Sequence, residues 1–134
     1  MSARIIPTLR YEDAKAAIEF LCNAFGFEKH AVYEDDKGGI AHAQLTLGSG
    51  MIMLGSWRDD DFGKLQTTTK RVGGVPTQSP YIIVDDVDAH HDRAVKGGAK
   101  VVYGPKDEDY GGRGYSCQDP EGNLWNFGSY DPWK

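Results

Sequence analysis

The sequence predicts an α+β fold: two βαβββ modules forming curled mixed sheets around a concave pocket, with helices on the outer faces. Two observations carry this expectation. A strand, a helix and three further strands occur twice in succession along 134 residues. Each helical segment carries one apolar stripe, and short alternating segments between glycine-rich turns supply the strands. The chain reads as a single domain, 1–134, with module one at about 1–57, a linker at 58–78 and module two at 79–134.

Module one opens with a strand over Arg4–Arg10. Asp13 then offers a carboxylate to the free amides of a first helical turn. Ala14, Ala17, Ile18, Leu21, Cys22 and Phe25 follow at helical spacing, and Gly26 supplies a left-handed stop. Three strands come next, over Glu28–Glu34, Ile40–Leu47 and Met51–Trp57. They turn at Asp36-Lys37-Gly38-Gly39 and at Gly48-Ser49-Gly50.

Module two repeats the plan. Pro80–Val84 reads as a strand and Asp86 as a cap, followed by a stripe of Val87, His91, Ala94 and Val95 that ends at Gly97-Gly98. Lys100–Tyr103, Arg113–Gln118 and Leu124–Ser129 supply three more strands, the last two joined by a tight Asp119-Pro120-Glu121-Gly122-Asn123 turn. The linker, with Asp59-Asp60-Asp61, Gly73-Gly74 and Pro76, reads as a polar, helix-poor and mobile connection.

Composition excludes several classes of function. A net charge of −5 leaves no basic footprint for nucleic acid or an anionic membrane. The two cysteines, Cys22 and Cys117, are too few for a disulfide framework and both fall on core-facing positions. No apolar run approaches a membrane span, and Met1-Ser-Ala-Arg4 lacks a secretory apolar region, so a cytoplasmic location is expected.

The double βαβββ plan, Leu9-Arg10-Tyr11-Glu12-Asp13 before the first helix and Val84-Asp85-Asp86-Val87-Asp88 before the second carry a resemblance. So do Gly97-Gly98-Ala99 and the Asp119–Asn123 turn. Together they resemble the vicinal-oxygen-chelate superfamily of glyoxalase I, bleomycin-resistance proteins, extradiol dioxygenases and fosfomycin-resistance proteins, over nearly the whole chain. Ile40–Leu54 is most similar to its glyoxalase/bleomycin-resistance-like branch. The resemblance implies metal ligands on the first and last strands of each module. Those positions fall on Ile6, Ser79, Asn126 and a residue near Met53 or Leu54. Such side chains are poor ligands for a divalent ion, so no metal and no cofactor are expected.

Strand alternation then names the pocket wall. Ile6, Thr8 and Arg10 share a face. His42, Gln44 and Thr46 point inward, opposite Ala41, Ala43, Leu45 and Leu47. Met51, Met53, Gly55 and Trp57 share the pocket side, with Ile52 and Leu54 in the core. Ser79, Tyr81, Ile83, Ser116, Gln118, Leu124 and Asn126 line module two, with Trp125 and Phe127 beneath its helix. The candidate ligand-binding residues are Arg10, His42, Gln44, Trp57, Tyr81, Ser116, Gln118 and Asn126.

Each candidate has a plain structural alternative. Arg10 suits an ion pair as well as the substrate contact that the resemblance to glyoxalase I implies. His42 is the acid/base candidate, although no orienting carboxylate adjoins it in sequence. His90 and His91 diverge on their helix, so one packs and one is solvated, and His30 reads as a surface strand residue. The expected partners are a small-molecule ligand and a second copy of the chain, with Trp133 or Tyr130 packing on the body or on that copy. The leading reading is a metal-independent binding protein that sequesters an aromatic or cationic compound in a dimeric cleft, as bleomycin-type antibiotic resistance does. The alternatives are a lyase, isomerase or dioxygenase, and an interaction domain with a vestigial pocket.

Overall fold

The computed structural model describes residues 2–134 and shows the α+β plan. Module one contains β1 (Thr8–Tyr11), α1 (Ala14–Phe20), β2 (Glu28–Glu34), β3 (Ile40–Leu47) and β4 (Gly50–Ser56). Module two contains β5 (Tyr81–Ile83), α2 (Val87–Lys96), β6 (Lys100–Asp107), β7 (Arg113–Gln118) and β8 (Leu124–Gly128). Each module has one four-stranded mixed sheet, ordered β1-β4-β3-β2 and β5-β8-β7-β6. The first strand of each module lies parallel to the last, and the other pairings are antiparallel. Strand β1 starts later than the expected Arg4 because Pro7 has no amide hydrogen; only its carbonyl joins the ladder, accepting from Met53 N–H at 3.0 Å.

Asp13 caps α1 through the Ala16 amide, and Asp86 caps α2 through that of Ala89. Helix α1 runs into one wider π-helical turn, Leu21–Phe25, before Gly26 closes it at φ 90°. That turn delivers the Phe25 ring to module two, with centroids 4.8 Å from Phe127 and 5.5 Å from Trp125. Each helix covers one face of its sheet, and a single apolar core then runs from Ile18, Leu21 and Leu45 through Phe25 to Tyr115, Trp125 and Phe127. Cys117 lies fully within it, and burial pushes its thiol up to about 12.

The inward stripe of α2 is Val87, His90 and Ala94 rather than the expected set, and Val95 is exposed. His90 is the packed histidine of the pair. Its Nε2–H donates to the Phe25 carbonyl at 2.9 Å, which leaves Nδ1 to accept from the Tyr115 hydroxyl at 2.6 Å. Arg93 donates to the Asn23 and Cys22 carbonyls, and Gly97 lies directly against Ala24. The two helical layers therefore meet inside one chain.

The linker is more structured than its composition predicts. It forms two short 3₁₀ turns, Phe62–Lys64 and Thr69–Val72, and buries Thr68 and Thr69. Thr68 and Arg71 both donate to Glu12, Arg71 through two nitrogens at 2.8 and 3.0 Å. These donors hold the Glu12 carboxyl below the usual carboxylate range. Tyr130 packs edge-on against Tyr110, whereas Trp133 is 93% exposed in the single chain. No helix among the described residues is long and apolar enough to cross a membrane.

Candidate functional site

The face of each sheet turned away from the helices carries the candidate residues, in two separate groups. On module one, strand register places Thr8 beside Met53, Arg10 beside Gly55, Gln44 beside Met53 and His42 beside Tyr33. His42 Nε2 donates to Gln44 Oε1 at 3.0 Å, and Gln44 Nε2 donates to His30 Nδ1 at 3.1 Å. His30 thus joins this face, where alternation from Glu28, the partner of Thr46, places it. A β-bulge between Lys29 and Ala31 shifts the register, which brings Tyr33 onto the His42 side, stacked at 6.3 Å. Near the strand's other end, Ile40 is buried and Ala41 only partly so, the reverse of simple alternation. A second register shift, between Tyr33 and Glu34, accounts for it.

Arg10 stacks on Phe62 of the linker, its guanidinium carbon 4.7 Å from the ring centroid. Partial burial, and then the neighbouring Arg58, lower its pKa. Trp57 is engaged by the linker as well. Its Nε1–H donates to the Gly63 carbonyl at 3.2 Å, and Arg71 lies over its ring at 3.6 Å. One face of that indole is therefore already covered.

On module two, an open cavity of about 430 Å³ is lined by residues of that module alone. Ser79, Tyr81, Ser116 and Asn126 line it, as the sequence predicts, together with Tyr103, Lys106, Glu108 and Tyr110. Gln118 shares the Ser116 face but pairs with Lys100 at the far end of the sheet, away from this cavity. The additional residues come from a segment expected to end at Tyr103. Strand β6 instead continues to Asp107, and an irregularity between Val101 and Tyr103 pairs Tyr103 with Ser116. That bulge reverses the alternation, and no local sequence signal marks it.

The floor of this cavity occupies the positions where a metal centre would require ligands. Asn126 Nδ2 donates to Ser79 Oγ at 2.9 Å and to the Pro80 carbonyl at 3.0 Å. Ser116 Oγ–H donates to Asn126 Oδ1 at 2.7 Å. Ser79 and Asn126 therefore do not fit a divalent ion, because their side chains are neutral and bound to one another, and the module-one positions, Ile6 and Met53 or Leu54, are apolar or a thioether. No group of three or more His, Cys, Asp or Glu side chains is gathered for a metal among the described residues.

Comparison with known proteins agrees with the fold. A family model described as the glyoxalase/bleomycin resistance protein/dioxygenase superfamily matches residues 5–127. An uncharacterised protein of Mycobacterium tuberculosis is 32% identical over 122 residues, spanning 91% of this chain and 71% of its own. The crystal structure of TioX from Micromonospora sp. ML1 superposes with a TM-score of 0.74 at 30% identity, covering 95% of this chain and 98% of its own. A glyoxalase/bleomycin resistance protein from a Streptomyces species shares the fold, with a TM-score of 0.69 at 21% identity and coverage of 94% and 99%. With its paired βαβββ modules and their open sheet faces, this chain belongs to the glyoxalase/bleomycin resistance protein/dioxygenase superfamily.

Proposed function

We propose that this chain is a cytoplasmic, metal-independent small-molecule-binding protein, a single domain over residues 1–134. It acts as a homodimer and sequesters an aromatic or cationic compound in a cleft, as the bleomycin-resistance branch of its superfamily implies. The observation that carries this reading is the state of Asn126. Its amide is satisfied by Ser79, Pro80 and Ser116 at the base of a tyrosine-lined cavity, where metal chemistry would need a carboxylate. A cavity of about 430 Å³ that combines tyrosine rings with polar and charged side chains is of a size that suits a small organic ligand. The net charge of −5 favours a cation over an anion at long range.

An enzymatic reading would route through His42. Its Nε2 is engaged by Gln44, and no carboxylate orients the ring among the described residues. These contacts support binding over acid–base catalysis.

Native mass spectrometry of the purified protein tests the proposal directly. The expected spectrum shows a dimer of the 14.8 kDa chain, without a metal and able to retain an added organic ligand. A stoichiometric divalent ion held by the native dimer would overturn the metal-independent reading.

A further inference from the structure

We propose that the module-two cavity takes a flat, uncharged aromatic molecule whose edge carries a carbonyl group, and that the Ser79 hydroxyl donates to that carbonyl. The inference rests on the small-molecule-binding reading above and narrows its ligand to one class.

Hydrogen-bond accounting around Asn126 leads to Ser79. The Pro80 carbonyl can only accept, so the Asn126 atom 3.0 Å from it is Nδ2, which fixes the amide's orientation. The other Nδ2 hydrogen goes to Ser79 Oγ, and both amide hydrogens are then used. Asn126 Oδ1 faces Ser116, so the Ser116 hydrogen is used as well. Ser79 is exposed and accepts in this network, so its own hydroxyl hydrogen is available to a ligand at the edge of the cavity. A ligand edge that reaches it needs an acceptor.

The walls set the rest of the ligand's character. Tyr81, Tyr103 and Tyr110 line the cavity. Tyr81 is anchored by its hydroxyl, which donates to the Tyr130 carbonyl at 2.7 Å, and the Tyr130 ring meets Tyr110 edge-on at 4.9 Å. Such rings favour a flat aromatic partner by offset stacking and edge contacts. Lys106 and Glu108 both border the same cavity. Their charges balance, so this lining gives no net local preference for a charged ligand over an uncharged one.

Three probes separate the elements of the proposal in saturation-transfer NMR and titration. Coumarin is flat and uncharged and carries a carbonyl. Naphthalene has a similar shape without it, and benzyltrimethylammonium is aromatic but cationic. Coumarin is expected to bind roughly fivefold to tenfold more tightly than naphthalene, the value of one added hydrogen bond. Ser79→Cys replaces the hydroxyl with a poor donor and is expected to abolish that preference while leaving naphthalene affinity within about twofold. Ser79→Thr is expected to retain the preference, and Tyr103→Ala to weaken both aromatic probes. Equal binding of coumarin and naphthalene, or a preference that survives Ser79→Cys, would overturn the proposal. A preference for benzyltrimethylammonium would overturn it while leaving small-molecule binding intact. Failure of all three probes to bind would overturn both.

Discussion

The Asp119 carboxylate joins two parts of the chain that lie 108 positions apart, receiving the Tyr11 hydroxyl at 2.7 Å. It also accepts from Trp125 Nε1 at 3.1 Å, from the Glu121 and Asn123 amides and from the Asn123 side chain. The residue is 5% exposed, so water cannot replace those bonds if the carboxylate is removed. Asp119→Ala leaves the Tyr11 and Trp125 donors buried without acceptors, at roughly 1–3 kcal/mol each. Chemical denaturation should therefore show a loss of about 3 kcal/mol or more, and a loss below about 1 kcal/mol would remove Asp119 from this role. His90 makes a second prediction at the same scale. Burial first, and then Arg93, hold its pKa below the ordinary value, although the Phe25 carbonyl acts in the opposite direction. As pH falls through about 6.5, the unfolded chain takes up this proton before the folded one, so the folded state loses stability. His90→Gln preserves a donor for Phe25 and an acceptor for Tyr115 without titrating. Thermal unfolding between pH 7.5 and 5.5 should show a smaller acid loss in the variant than in the parent chain, and equal losses would contradict the assignment.

At the scale of elements, the joint between the helical layers depends on close approach. A Cβ placed on Gly97 would lie 2.5 Å from the Ala24 Cβ, while φ at Gly97 is −79°, a conformation open to any residue. Gly→Ala at such a backbone position ordinarily stabilises by about 0.4–1 kcal/mol. Here overpacking should dominate, and Gly97→Ala is expected to destabilise by about 1–3 kcal/mol in a denaturant titration. A stabilised variant would show that the helices do not meet this closely. The same elements show how much the sequence makes legible. Caps at Asp13 and Asp86, the stop at Gly26 and the Asp119–Asn123 turn are local signals, and each stands where its residues place it. Simple alternation also finds Tyr81, Ser116 and Asn126. It fails at Tyr33 and Tyr103, because a register irregularity in β2 and another in β6 carry them across to the open face. Such a bulge is set by the partner strand, through bonds between residues distant in sequence. The linker's order was hidden for a related reason, since Thr68 and Arg71 are held by Glu12, 56 and 59 positions away.

Considered as a whole, the molecule uses its helices to join its modules and leaves both sheet faces available. Module one offers Tyr33 and Ile6, and module two offers Tyr81, Tyr103 and Val102, all more than a third exposed. Ile5, Leu65 and Trp133 are nearly free of contact in a single chain. So much exposed apolar and aromatic surface on a small monomer signals burial against a partner. In the proposed homodimer the second copy covers it and encloses the module-two cavity, which one chain leaves open. The tail connects this assembly to the cavity wall. Tyr130 holds Tyr81 through its carbonyl and meets Tyr110 through its ring, and Trp133 extends three residues beyond it. Truncation after Ser129 should therefore have two linked effects: a shift toward monomer in sedimentation at micromolar concentration, and weaker binding of aromatic probes. Trp133→Ala alone retains the Tyr130 contacts and should shift only the association equilibrium. A truncated chain with an unchanged sedimentation profile would show that the tail contributes nothing to the dimer. If truncation weakens probe binding without altering association, the tail would instead serve only its own chain's cavity, through Tyr81.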